Sequence, residues 1–260
     1  MRLRNEPAFH RLLIVFSAPP RIIHAGKWFN MMISEQLLPT TSCVEAWTRL
    51  AGQRGGDFIV RNISDEKVTV VLADAAGHDE EAARIVEFLR PMIARQIRFP
   101  ISESLIRFWH HLVQERSKDS NRFVCFTIMR LDRFTRDLTI VNAGNPDVII
   151  RRGLGSRLDR FESTGMPLGI VEDAEWRCPL IQRTYLGIND YALCFSDGVT
   201  DCVGSGGERF GLGRVCRAAK VADGSSPLRS VRRGILRFAS PTANQDDLSL
   251  LVLAGGRQVA

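Results

Sequence analysis

The most regular pattern along the chain is a short apolar run that ends on an acid. Residues 67–73, KVTVVLA, are β-branched and aliphatic and stop at Asp74-Ala75-Ala76-Gly77-His78, which predicts a strand closed by an acidic loop. Residues 79–98 open on acids and predict a helix, with Asp79, Glu80 and Glu81 suited to capping the positive end of its dipole. A second helix is predicted over 102–118, then strands over 122–131, 138–142 and 148–151 in an antiparallel meander. Its sharpest turn is Asn142-Ala143-Gly144-Asn145-Pro146, where glycine and proline constrain the backbone. Residues 191–196 form another apolar run ending in Asp197-Gly198, and residues 248–253 a last one preceded by Gln245-Asp246-Asp247.

The N-terminal part is less regular. A weak helical pattern over 34–50 predicts a helix leading into Arg54-Gly55-Gly56-Asp57-Phe58, where paired glycines mark a tight turn entering a strand. Residues 1–33 are broken by Pro19-Pro20 and cluster Trp28, Phe29, Met31 and Met32 without a clear period, the pattern of an arm or partial helix. The domain organisation expected is an arm over 1–33 with a regulatory role, a catalytic domain over 34–254 and a tail over 255–260. There are no internal repeats and no low-complexity segment.

Composition narrows the function. The chain has 260 residues, 45% hydrophobic and 25% charged, which is enough apolar content for one large core. The net charge is +6, and 31 of the 35 basic residues are arginines dispersed along the chain. A nucleic-acid binder concentrates its charge in a patch interleaved with aromatics, so no nucleic-acid partner is expected. None of the six cysteines falls in a CxxC pair, which argues for a reducing compartment and against a zinc finger. The opening Met1-Arg-Leu-Arg has the charge of a secretory leader, but the apolar run after it is shorter than a leader core and far short of a membrane span. A cytoplasmic protein with no membrane contact is expected.

Asp74, Asp197 and Asp246 each sit at one end of an apolar strand, and Asp57 sits at a strand start beside glycines. A carboxylate at the edge of a core must be neutralised by hydrogen bonds, by a cation or by an altered pKa. Any one Asp-Gly of this kind is more often a turn than a ligand; four sites of one pattern, each flanked by small residues, point instead to a shared metal. Oxygen donors without accompanying histidine or cysteine select magnesium or manganese over zinc, and His10, His24, His78, His110 and His111 show no ligand spacing. No Cys-His or Ser-His constellation offers a nucleophilic side chain.

These motifs carry a family resemblance. Gly55-Gly56-Asp57-Phe58, Ala73-Asp74-Ala75-Ala76-Gly77-His78 with Ala82-Ala83, Asn142 to Pro146, Gly165-Met166-Pro167-Leu168-Gly169, Ser196-Asp197-Gly198-Val199-Thr200-Asp201, Glu208-Arg209-Phe210-Gly211 and Gln245-Asp246-Asp247-Leu248-Ser249 occur in one order over 34–254. Together they resemble the RsbU/SpoIIE branch of the metal-dependent protein phosphatases, the type 2C class. The resemblance implies an α+β fold, a four-layer α/β/β/α sandwich of two mainly antiparallel sheets flanked by helices. It also implies a centre holding two Mn2+ or Mg2+ ions: Asp74 would bridge both, the Ala75 carbonyl would bind the first, Asp57, Asp197 and Asp246 would complete the second site, and Asp201 would help hold a further, weaker ion. Arg54 is the candidate for gripping a substrate phosphate. The implied substrate is a phosphorylated protein, a STAS-domain anti-sigma-factor antagonist of bacterial signalling, and a homodimer is compatible with it. The alternative is a pseudophosphatase that keeps the fold as a protein-binding module. Two positions depart from the family: Asp79 stands where glycine is common, and Asn145 where histidine is common, and both are expected to bear on the rim of the site and on substrate choice.

Overall fold

A strand buried on both faces needs an apolar run rather than strict alternation, and the strands of this chain lie between two layers. The structure, a computed structural model, describes residues 35–37, 43–51, 55–77, 79–118, 122–153, 155, 157–221, 226–240 and 246–256. Arg54, His78, the tail over 257–260 and the expected arm over 1–33 therefore fall outside the described residues.

The elements are β1 (Glu35–Leu37), β2 (Val44–Arg49), β3 (Asp57–Ile63), β4 (Lys67–Ala75), α1 (Glu80–Gln96), α2 (Glu103–Ser117), β5 (Val124–Asp132), β6 (Asp137–Ala143), β7 (Val148–Arg151), β8 (Leu158–Phe161), β9 (Gln182–Tyr185), β10 (Tyr191–Phe195), α3 (Asp197–Asp201), α4 (Gly211–Ala219), α5 (Pro227–Phe238) and β11 (Leu248–Ala254). They build a six-stranded sheet in the order β1-β2-β11-β10-β7-β8 and a five-stranded sheet in the order β3-β4-β5-β6-β9, antiparallel at every pairing. The two helices foreseen between β4 and β5 form: at the first the Ala82 amide donates to the expected cap, the Asp79 carboxylate, at 3.1 Å, and at the second the Leu105 amide donates to the Ser102 hydroxyl at 3.2 Å, a cap not foreseen.

Alternate residues of each strand feed different layers. Val68, Val70 and Leu72 of β4 pack with Met129, Leu131, Leu251 and Leu253 between the sheets. Val71 and Ala73, one residue out of phase, pack with Ile85, Leu89 and Ile93 of α1 and Ile106, Trp109 and Val113 of α2. On the far side, Leu193, Phe195, Leu250 and Val252 pack with Val199, Val215, Leu228, Val231 and Ile235 of α3, α4 and α5. Three apolar seams separating four layers are the α/β/β/α sandwich. Among the described residues no helix is long and apolar enough to cross a membrane, and all six cysteines are free.

The expected helix over 34–50 does not form. Its described residues are β1 and β2, and β2 pairs with β11 from Val44 opposite Leu253 to Arg49 opposite Leu248. Val44 and Ala46 enter the seam between sheets while Trp47 enters the helix-side seam, a two-faced burial that only an extended chain provides. The weak local helical pattern is overridden by a partner strand some 200 residues away. Strands β8 and β9 and helices α3, α4 and α5 had no counterpart in the sequence-based expectation.

Trp109 is fully buried on α2 and meets the Phe126 ring edge-on, centroids 6.3 Å apart. Trp109→Ala is expected to lower unfolding stability by about 3–5 kcal/mol, whereas Phe134→Ala, at a side chain 77% exposed, should change it by less than about 0.5 kcal/mol. Urea titrations of both variants provide the check; similar midpoints would contradict the layer assignment.

Candidate metal centre

The two sheets bring the four aspartates to one end of the sandwich. In the five-stranded sheet Asp57, the first residue of β3, lies directly opposite Asp74 near the end of β4. In the six-stranded sheet β10 and β11 are antiparallel neighbours, with Phe195 opposite Leu250, so the residue after β10 and those before β11 emerge together. Asp197 opens α3 there, and Gly198 comes so close to the preceding segment that a Cβ on it would stand 2.1 Å from the Asp247 carbonyl oxygen and 3.2 Å from the Asp246 Cβ. Only a residue without a side chain fits this approach. The sheets are joined by the buried Ser196 hydroxyl, which donates to Asp57 Oδ2 at 2.8 Å and accepts from the Ser249 amide at 3.1 Å.

Burial and mutual repulsion dominate the electrostatics. The Asp74 carboxyl is pushed up to about 9, first by burial and then by the charges of Asp57, Asp197, Asp246 and Asp247. Asp57 is pushed up to about 7, chiefly by burial, with the Ser249 and Ser196 hydroxyls pulling it down. Asp197 is also raised, by burial and then by Asp246 and Asp201, while a hydrogen bond from Asp74 lowers it. The aspartates are near enough to raise one another's pKa, yet among the described residues no three His, Cys, Asp or Glu side chains are drawn together tightly enough to share one ion.

The donor chemistry fits hard divalent cations. The converging groups are all carboxylates, and the nearest sulfur, Cys125 opposite Asp74, has its thiol pushed up to about 12 by burial and by the neighbouring aspartates, so it is no thiolate ligand. Gly56 closes the floor: a Cβ there would lie 2.4 Å from the Ala75 carbonyl oxygen, the atom that the resemblance implies as a ligand. Asp201, at the end of α3, is exposed and pairs with Arg209 at 3.0 Å; it stands near enough to Asp197 to raise its pKa.

Two supports had no role in the sequence-based expectation. Asp247, only 4% exposed, accepts from the Ala51 amide at 2.7 Å and the Asp57 amide at 3.2 Å, fastening the entry to β3 onto the start of β11. Gly55 leaves room for it, since a Cβ there would stand 2.1 Å from Asp247 Oδ2. The Asp246-Asp247 doublet was the available signal. Arg122 is the other: it donates to the Ala76 carbonyl at 2.9 Å and pairs with Asp79 and Glu81, clasping the loop that follows Asp74. Asp79 caps the exposed start of α1. Asn145, in the turn after β6, is buried: its side-chain amide donates to the Thr127 hydroxyl at 3.0 Å, which in turn donates to Asn142 at 3.1 Å, while its Oδ1 has no hydrogen-bond partner among the described residues.

The raised carboxylates set a sign for pH dependence. A carboxyl that binds its proton more tightly when folded favours the folded state most below the unfolded value near 3.8 and progressively less as pH rises through the folded values of about 7 and 9. The melting temperature of the metal-free protein should therefore fall between about pH 5 and pH 8, and Asp74→Asn should flatten the fall and melt higher at the upper end. Calorimetry in EDTA across this range checks it; a wild-type profile that rises, or is indistinguishable from that of Asp74→Asn, would refute the assignment.

Comparison with known proteins agrees with this architecture. The chain is 24% identical over 176 residues to the phosphoserine phosphatase RsbP of Bacillus subtilis, covering 65% of this chain and 42% of that protein, so it spans less than half of that relative. The SiaA-PP2C domain of Pseudomonas aeruginosa superposes with a TM-score of 0.69 at 15% identity, over 81% of this chain and 85% of that one. RsbX in complex with magnesium superposes with a TM-score of 0.62 at 13% identity, over 85% and 98%. Residues 64–254 match the sequence profile of stage II sporulation protein E. With most of its length inside that match and the aspartates gathered at one end of the sandwich, the chain belongs to the SpoIIE family.

Proposed function

We propose that this chain is a metal-dependent protein serine/threonine phosphatase that hydrolyses a phosphoserine or phosphothreonine monoester. The observation that carries the proposal is the register pair of the buried Asp57 and the half-buried Asp74, joined through Ser196 to the start of α3, which bears Asp197, and to the segment before β11, which bears Asp246. Cations between such repelling carboxylates would offset their charge. The likeness to the phosphoserine phosphatase RsbP and to RsbX in complex with magnesium supports the same choice.

Asp74 would bridge two Mn2+ or Mg2+ ions, the Ala75 carbonyl would bind one, Asp57, Asp197 and Asp246 would complete the other site, and Asp201 stands where a weaker third ion would be held. The ions would supply a water acidified toward neutral pH and positive charge for the phosphoryl oxygens. The chain's own residues set the geometry. Ser196 and Ser249 hold the Asp57 carboxylate in orientation, and Asp247 fixes the backbone from which Asp57 projects. To serve as a ligand Asp74 would have to give up its proton, so metal affinity should rise with pH. Burial raises Cys125, Cys178, Cys194, Cys202 and Cys216 toward the neutral thiol, away from the thiolate that a cysteine nucleophile needs. Arg122, already engaged by two acids and a carbonyl, fits anchoring the loop, which leaves Arg54 as the candidate phosphate ligand. The substrate proposed is a phosphorylated STAS-domain protein, as the family resemblance implies.

The alternative of a catalytically silent binding module is separated by turnover. The protein should hydrolyse p-nitrophenyl phosphate with Mn2+ or Mg2+, fall silent in EDTA and stay silent with Zn2+. Asp74→Asn and Asp197→Asn should each lower turnover by at least about 100-fold, and Ser196→Ala by about 10–100-fold. Mn2+ should raise the melting temperature of the wild type. Near-normal turnover by a folded Asp74→Asn protein would sink the proposal.

A further inference from the structure

Helix α5 lies over the six-stranded sheet with Pro227, Leu228, Val231 and Ile235 buried. Its opposite face carries Arg229, Arg233 and Arg237 at i, i+4 and i+8, and the helix contains no acid. Residues four apart share one helix face about 6 Å from each other, and like charges there repel. On α1, by contrast, Arg84 pairs with Glu80 at 3.2 Å, and on α2 Arg107 pairs with Glu103 at 2.7 Å, both four residues apart. Among the described residues Arg229, Arg233 and Arg237 have no such carboxylate.

This face borders a groove of about 510 Å3 between α5 and β2. Its wall includes the exposed Leu236 and the edge of Leu228, and its one acid, Glu45, already accepts a hydrogen bond from Ser226 at 2.5 Å. The groove is therefore predominantly cationic, with Leu236 as its exposed apolar side chain. The chain's first 34 residues do not complement it, since they carry Arg2, Arg4, Arg11, Arg21 and Lys27 against Glu6.

We infer that this groove is a docking surface for an acidic amphipathic segment of a protein partner, with carboxylates spaced one helical turn apart against Arg229, Arg233 and Arg237 and an apolar side chain over Leu236. A nucleic acid would need exposed aromatic rings for its bases, and the lining has none. A membrane surface would need several protruding apolar side chains, and Leu236 is the one exposed on this helix. The surface is separate from the aspartates, so docking and catalysis can be measured apart.

The test is fluorescence anisotropy with the full chain and four labelled probes: a helical peptide with Glu at i, i+4 and i+8 and flanking leucines, the same peptide with Gln, single-stranded oligothymidine, and phosphatidylserine vesicles. The Glu peptide is expected to bind about tenfold or more tightly than the Gln peptide, with an affinity that falls as salt is raised. The triple variant Arg229→Ala, Arg233→Ala, Arg237→Ala should lose about tenfold or more of that affinity while melting no lower than wild type and hydrolysing p-nitrophenyl phosphate equally well. Should the triple variant not fold, Arg233→Gln gives the same comparison. Equal affinity for the Glu and Gln peptides, unchanged affinity in the arginine variants, or tighter binding of the oligonucleotide or the vesicles would each overturn the inference.

Discussion

A buried and a half-buried carboxylate, Asp57 and Asp74, face each other across one rung of a β-ladder, and much of the architecture around them serves to hold that unfavourable pair. Asp57 and Asp74 cannot move apart, because the rungs beside them, Phe58 with Ala73 and Ile59 with Leu72, are pinned in apolar seams on both faces of the sheet. Like charges so placed oppose folding, which is why burial and neighbouring acids push Asp74 toward its protonated form. A site of this kind is costly alone, and under the proposed function cations would complete it, the usual trade between local strain and function.

The rest of the sandwich supplies the rigidity. Three apolar seams immobilise both sheets, and only the strand ends are left to the loops that carry Asp197, Asp246 and Asp247. Glycines at 55, 56 and 198 let backbone come within contact distance of carboxylate and carbonyl oxygens, so the polar groups meet without intervening side chains. Ser196 and Asp247 then tie one sheet to the other through hydrogen bonds that span between 139 and 190 residues of sequence. Positioning by packed strands rather than by free loops suits a centre whose ligands must be held close together.

Charge is arranged differently on the two outer layers. Helices α1 and α2 each pair an arginine with a glutamate four residues before it, whereas α5, which contains no acid, presents a stripe of arginines beside a groove. The arginine excess, dispersed along the chain when counted by sequence, is thus locally concentrated in space, on a surface distinct from the one bearing the aspartates.

By itself the sequence determined the features that neighbouring residues encode. Apolar runs ending on Asp74, Asp197 and before Asp246, the cap Asp79, and the two helices after β4 depend on local periodicity and on a side chain bonding an amide three residues away. The order of the motifs, through the family they resemble, was enough for the four-layer fold. Tertiary structure decided whatever depends on distant partners. Residues 44–49 become a strand because β11 offers an edge and seams on both sides. Asn145 is held by the Thr127 hydroxyl, which accepts from its side-chain amide, and by the Asn142 side chain, which donates to its backbone carbonyl, and Asp247 becomes a support because the amides of Ala51 and Asp57 converge on it. Cross-strand register and desolvation are properties of groups brought together from far along the chain, and no local pattern carries them.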